Sequence, residues 1–209
     1  GGLLTLGIPD FKLSKDVVTR RIEQMTQEGI TFMTGKYVGE NYPTEKLLSD
    51  FDAVCLTIGS TVPRDLNVDG RDLHGVHFAM EYLTQQNRIT MGQNTPSDKR
   101  ITAKGKSVII LGGGDTGADC LGTAHRQGAA AVHQLELLEE PPKIRDSSNP
   151  WPEWPNILRV SAAHEEGGIR DYNILTKTLV GESASLKKLQ AVRIKWGSPD
   201  KNGRSAMEE

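Results

Sequence analysis

Residues 106–138 read KSVIILGGGDTGADCLGTAHRQGAAAVHQLELL, with three consecutive glycines between an apolar run and a helical pattern. Ser107–Leu111 has the signal of a short buried strand, about Asp115 to Gln127 that of a helix closed by Gly128, and about Val132–Leu138 that of a second strand. Strand, turn, helix and strand within about 30 residues make one βαβ unit, the building block of a parallel sheet. The glycines fall as Gly112-x-Gly114-x-x-Gly117, the spacing of a dinucleotide-binding turn. Such a pattern is weak alone and gains weight from the strand before it and the helix after it. Gly112 allows the tight turn, Gly114 lets a pyrophosphate approach where a Cβ would clash, and Gly117 lets the helix pack on the strand. The anion rests on unpaired N–H groups at the positive end of the helix dipole. Gly113 belongs to the cofactor-binding loop but is the unconstrained x of the motif. Asp115 is expected to cap the helix rather than touch the ligand, and Thr116 to offer a hydroxyl to a phosphate.

A dinucleotide fold of this kind expects an acidic residue roughly 20 positions further on. Glu136 stands there, 19 residues beyond Gly117, toward the end of the second strand. Its carboxylate suits an adenosine ribose 2′-OH and repels a 2′-phosphate, so it favours NADH over NADPH. No arginine follows directly, although Lys143 and Arg145 come soon after.

Elsewhere the periodicity is less decisive. LSKDVVTRRIEQMTQEG reads as a helix with Ser14 as cap, Val17, Val18, Ile22 and Met25 as its apolar face, and Gly29 as its stop. ITFMTGKYVG and DAVCLTIGS read as strands, the second ending at Gly59-Ser60, with a helical turn in YPTEKLLSDF between them. Residues 63–75 are turn-rich, VHFAMEYLTQQNR is an amphipathic helix, and MGQNTPSDKR is an exposed loop. Five prolines in EEPPKIRDSSNPWPEWPN rule out regular structure, and AVRIKW is a final strand. Trp151 and Trp154 in that loop suit either a lid or anchors pinning it to the surface. These elements predict an α/β chain: part of an FAD-type domain at 1–62, a crossover at 63–100, and a Rossmann-like NAD(P)H-binding domain with a mostly parallel sheet at 101–209.

Lys plus Arg number 25 and Asp plus Glu 27, a balance that offers nucleic acid or an anionic membrane no electrostatic footprint. No stretch approaches the roughly 20 apolar residues of a membrane span. Cys55 and Cys120 lie far apart in apolar contexts without a C-x-x-C, reading as buried thiols of a cytoplasmic protein. His74 and His77 lack a third metal ligand, and HEEGG at 164–168 lacks the second histidine of a zinc hydrolase motif. No metal site and no catalytic residue is assigned. The Gly-Gly start without a basic leader, and the polar end, suggest a piece of a longer protein.

Four stretches support a resemblance: GGGDTGADCLGTAHRQGAAAVHQLELLEEPP, NPWPEWP, GGLLTLGIPDFKLSKDVVTRRIEQMTQEGI and IGSTVPRDLNVDGR. Together they resemble the small subunit of glutamate synthases, or the equivalent C-terminal region of single-chain glutamate synthases, over nearly the whole chain. The resemblance implies a flavoprotein in which NAD(P)H reduces FAD. Electrons then pass through iron–sulfur clusters to the FMN of the large subunit, where 2-oxoglutarate and glutamine-derived ammonia become glutamate. It places Gly112, Gly114, Thr116 and Gly117 in the nicotinamide-dinucleotide loop. AVCLTIGST is similar to a family strand ending in Ala-Thr-Gly; Thr57 and Ile58 depart from it, leaving Gly59 as the match toward the flavin dinucleotide. The family's cysteine clusters and its first FAD loop have no counterpart here, so this chain alone is not expected to hold FAD or turn over. Two alternatives stay open: a related flavoprotein reductase with another electron acceptor, and a dinucleotide-binding module without catalysis.

Overall fold

The computed structural model describes residues 2–198 and 205–209, and the βαβ unit is present in it. The chain divides into two units, Lys15–Asp65 and Gly1–Ser14 with Leu66–Glu209. The second unit begins with α1 (Gly2–Leu6).

The unit Lys15–Asp65 contains α2 (Lys15–Gln27) and α3 (Thr44–Asp50). Helix α2 ends as its sequence indicates. Gly29 takes φ +94°, its N–H donates to the Thr26 carbonyl, and the Ile30 N–H reaches back to Met25 at 3.0 Å. This pair of bonds satisfies last-turn carbonyls, and the left-handed residue is a glycine because it carries no Cβ penalty. The two strands expected here are absent. Residues 30–39 hold only an isolated bridge, Val38 to Tyr42, and turns at Gly35 and Gly39 with positive φ break the alternation. Residues 52–60 belong to no strand, with Leu56 73% and Ile58 82% exposed. A strand exists only against a hydrogen-bonded neighbour, and no described residue pairs with this stretch. Cys55 is consequently exposed rather than buried.

In the other unit, α4 (Ala79–Thr90) is followed by a short 3₁₀ turn (Ser97–Lys99), β1 (Ser107–Leu111), α5 (Asp115–Arg126) and β2 (Ala131–Leu135). After the proline-rich loop come α6 (Ala162–Glu165), β3 (Ile169–Asp171), β4 (Ile174–Glu182), β5 (Ser185–Arg193), β6 (Lys195–Trp196) and β7 (Met207–Glu208). Strands β1, β2 and β3 form a parallel sheet in that order, with Ile109, His133 and Ile169 in one row. Strand β2 stops three residues earlier than its apolar run suggests, because the chain bends at Leu137 and Leu138.

Helix α5 buries Ala118, Cys120, Leu121 and Ala124 on the sheet face that carries Val108, Ile110 and Val132. Helix α4 adds Tyr82 and Leu83 beside Cys120, and α6 adds Ala163. Full burial of Leu83 or Leu121 contributes about 1.5–3 kcal/mol each. Close approach on α5 depends on Gly122: a Cβ there would stand 2.7 Å from Phe11 and 2.9 Å from Ala163. The Phe11 ring is covered in turn by the Arg126 guanidinium, 3.7 Å from its centroid. Asp119, buried on α5, is compensated by the Lys12 ammonium at 2.6 Å.

Strands β4 and β5 form an antiparallel hairpin that the sequence reading missed. AVRIKW is not one strand but is divided at buried Ile194 between β5 and β6, and β6 pairs with β7. The turn-rich residues 66–75 run along the hairpin, with the Leu179 N–H donating to Asp69 and the Leu186 N–H to His74. Gly70 makes this contact possible, because a Cβ would meet the Leu179 carbonyl oxygen at 2.0 Å. Among the described residues no helix is long and apolar enough to cross a membrane.

Candidate functional site

The glycine turn joins β1 to α5 at the C-terminal end of the parallel sheet, where α/β folds open a crevice. Gly112 has φ +114°, a conformation that costs a residue with a Cβ roughly 1–3 kcal/mol. Its N–H extends the ladder to the Leu135 carbonyl at 2.8 Å, and its own carbonyl accepts from Gln134 Nε2 at 2.8 Å. Gly117 sits against this carbonyl. A Cβ on Gly117 would lie 2.4 Å from the Gly112 oxygen and 2.5 Å from Gln134 Nε2.

Gly114, not Asp115, caps α5. It is extended (φ −78°, ψ −179°), provides no side-chain bond to the first turn, and leaves Asp115 as the first helical residue. The expected Asp115 cap fails because the turn places Gly114, not Asp115, at the end of the extended chain. Nothing lies within 4 Å of where a Gly114 Cβ would stand. The N-terminus of a 12-residue helix therefore faces open space without a side-chain cap, which suits an anion. Thr116 is exposed in the same first turn.

Gly113 is not unconstrained. Its N–H donates to Glu136 Oε2 at 2.5 Å, and a Cβ on it would come within 2.7 Å of that oxygen. Glu136, one residue beyond β2, is itself fixed. Its other carboxylate oxygen accepts from the Leu138 N–H at 3.1 Å, and its backbone N–H donates to the Asp171 carbonyl at 2.8 Å. The carboxylate therefore braces the glycine turn from the end of the neighbouring strand. Asp171 pairs with Arg193 at 2.9 Å, and the guanidinium holds its carboxyl below the usual range.

A second brace was not anticipated. Gln134, fully buried on β2, shares a face with Val132 and donates to Gly112. Its Oε1 lies 2.9 Å from His164 Nε2, and His164 Nδ1 takes the Ser161 N–H at 3.1 Å. A backbone N–H can only donate, so Nδ1 is bare and Nε2 carries the proton. That proton points Gln134 Oε1 toward the ring and Nε2 toward Gly112. Burial lowers the His164 pKa, Arg170 and Lys12 act in the same direction, and Asp115 opposes them. Two signals lay in the sequence: a polar residue two positions from buried Val132, and a histidine noted only for failing a zinc pattern.

The remaining expected residues lie apart. Gly59 belongs to the Lys15–Asp65 unit, in the unpaired stretch, with φ +67°. Trp151 and Trp154 are 84% and 78% exposed and so do not pin their loop to the surface. Asn149 organises that loop instead, accepting from the Asn156 N–H at 2.7 Å and donating to Glu153. Burial, with Asp119 adding to it, pushes the Cys120 thiol up to about 12, which removes it from thiolate chemistry.

Known proteins resemble this chain in the region just described. The family profile "Pyridine nucleotide-disulphide oxidoreductase" matches residues 7–153, which include the whole glycine turn and Glu136. A "Glutamate synthase [NADPH] small chain" of Mycobacterium tuberculosis is 52% identical, covering 91% of this chain and 40% of that protein. A "Glutamate synthase [NADPH] small chain" of Bacillus subtilis is 43% identical over 93% of this chain and 41% of its own length. A "Glutamate synthase [NADH]" of Schizosaccharomyces pombe is 46% identical over all of this chain and 10% of its own length. The chain thus spans about two-fifths or less of each of these relatives. The chain belongs to the pyridine nucleotide-disulphide oxidoreductase family.

Proposed function

We propose that this chain is the nicotinamide-dinucleotide-binding part of a glutamate synthase, the portion through which electrons enter. The observation that carries the reading is Gly114: the absence of its Cβ opens space at an uncapped helix N-terminus inside a braced glycine turn. A pyrophosphate fits there, and the relatives named NADPH and NADH glutamate synthases point the same way. In this reading the N–H groups at the start of α5 hold the pyrophosphate, Gly112, Gly113 and Gly117 give the turn its shape, and Asp115 and Thr116 border the anion. Glu136 faces the adenosine ribose, its free lone pairs accepting the 2′-OH while its charge opposes a 2′-phosphate, which favours NADH over NADPH. A nicotinamide dinucleotide bound there supplies a hydride to a flavin. The chain's own task is orientation and needs no acid–base pair.

FAD and the rest of the route are proposed at the scale of the longer assembly. Residues 52–60 form no strand and Gly59 is exposed. The acceptor in this reading is FAD held by the longer protein. Beyond it come iron–sulfur clusters outside this chain and a glutamate synthase large subunit or domain, in the cytoplasm. That assembly makes L-glutamate from 2-oxoglutarate and glutamine. The unpaired state of residues 52–60 favours a second reading, a dinucleotide-binding module without turnover.

Calorimetric titration with NADH and NADPH tests the site. The chain binds NADH more tightly than NADPH. Gly114→Ala weakens NADH by about tenfold or more at unchanged Tm, because its methyl group enters the ligand's space and no other. Glu136→Gln keeps an acceptor for Gly113, removes the charge, and narrows the preference between the two nucleotides about tenfold. Binding of neither nucleotide overturns the dinucleotide reading, and tighter NADPH overturns the role given to Glu136. Hydride transfer from NADH to FAD in the longer protein separates the reductase from the binding module.

A further inference from the structure

We infer that His164 is a positioning residue for the dinucleotide site: acting through Gln134, it holds the Gly112 carbonyl and with it the glycine turn in the shape a pyrophosphate requires. The inference deepens the reading of a nicotinamide-dinucleotide site and rests on it. Three contacts in series carry it: Ser161 N–H to His164 Nδ1 at 3.1 Å, His164 Nε2 to Gln134 Oε1 at 2.9 Å, and Gln134 Nε2 to the Gly112 oxygen at 2.8 Å. Each link fixes the next. The Ser161 N–H selects the ring tautomer, the tautomer selects the orientation of the Gln134 amide, and the amide donor anchors Gly112.

Geometry makes this relay specific to the turn. Gln134 is fully buried, and its Nε2 would lie only 2.5 Å from a Gly117 Cβ. The same amide therefore contacts the first glycine of the motif and lies beside the third. A flipped amide would present its oxygen to the Gly112 carbonyl oxygen, two acceptors facing each other. The turn would then lose one of its two braces, leaving only Glu136 on Gly113.

Protonation of His164 strikes the first link of the relay, the one that fixes the ring, while Nε2 still donates to Gln134. A protonated ring donates from both nitrogens, so Nδ1 can no longer accept the Ser161 N–H and has the Ser161 hydroxyl oxygen, 3.2 Å away, as its acceptor instead. The groups facing the ring are Arg170 on β3, Lys12 after α1 (itself paired with Asp119), and Asp115 at the start of α5. On its own helix stands Glu165, and just beyond it Glu166, engaged by Arg126 at 2.5 Å. Because the folded-state pKa lies below the ordinary histidine value, the Ser161 link that fixes the ring is intact at neutral pH and is lost as pH falls through that lowered value, which loosens the hold on Gln134.

The test joins nucleotide affinity to the amide resonances of the turn. NADH is titrated calorimetrically against the wild-type chain and the His164→Leu, His164→Gln, Gln134→Leu and His164→Leu/Gln134→Leu variants, from about pH 7.5 to about pH 5.5. His164→Leu and Gln134→Leu each weaken NADH about tenfold near neutral pH, and the double variant is no weaker than either, as members of one chain behave. His164→Gln keeps a donor toward Gln134 and restores affinity to within about threefold of wild type. Wild-type affinity falls on acidification, whereas that of His164→Gln does not. In ¹⁵N spectra without ligand, the Gly112, Gly113 and Gly117 amides follow the His164 titration in the wild type and stay still in His164→Gln. Additive losses, or unmoved glycine resonances in His164→Leu, overturn the relay. If the glycines track His164 but the wild type binds neither NADH nor NADPH, the relay stands as a brace of the turn and the dinucleotide reading fails.

Discussion

At the scale of single residues, the site is a set of places where a methyl group is or is not allowed. Gly117 shows it most sharply, since its missing Cβ is the space occupied by the Gly112 carbonyl and the Gln134 amide. Gly117→Ala must push α5 away from the turn. It is expected to cost about 1–3 kcal/mol in thermal denaturation and to abolish detectable NADH binding. Gly114→Ala differs: it leaves stability alone and removes affinity. This contrast separates a glycine kept for packing from one kept for a ligand. Cysteine reactivity is decided the same way. At about pH 8, a thiol reagent followed by mass spectrometry labels exposed Cys55 and spares buried Cys120, whose thiol is pushed up to about 12. The tight turn at Gly112 and the close packing at Gly117 were legible because a strand-to-helix turn with this glycine spacing imposes them sterically. Gly113, Gln134 and His164 were not, because each answers to a partner between 22 and 30 residues away.

At the scale of elements, agreement followed the number of independent signals. Strand β1 and helix α5 match their expected bounds within a residue, since apolar run, glycine turn and helical period all coincide there. The hairpin β4–β5 escaped notice because its turn lacks the usual Asn-Gly signature. Ser183 and Ala184 occupy it with φ +50° and +62°, a strained choice for both residue types. The double substitution Ser183→Asn/Ala184→Gly is expected to stabilise the protein by about 0.5–1 kcal/mol, read as a rise in Tm with NADH affinity unchanged. Residues 52–60 show the opposite error. A strand-like apolar sequence has the right composition, yet a strand is a pairing, and no described residue supplies the partner.

At the scale of the whole molecule, the glycine turn is braced from two sides while residues 52–60 form no strand. The purified chain is therefore expected to bind NADH yet to show no flavin band in its visible spectrum; stoichiometric FAD at isolation would contradict the unpaired state of residues 52–60. By itself the sequence determined the βαβ unit, its glycine turn and the class of ligand the turn suits. These follow from periodicity and from backbone sterics within some 30 residues, and neighbouring residues enforce them without outside help. Only the tertiary structure decided what holds the turn in shape. Glu136 closes on Gly113, and Ser161, His164 and Gln134 reach Gly112 in series, because parallel strands bring residues distant in sequence to the same end of one sheet. A hydrogen bond of that kind leaves no mark in local composition, since its energy depends on burial and orientation that exist only once α5, α6 and the sheet have packed.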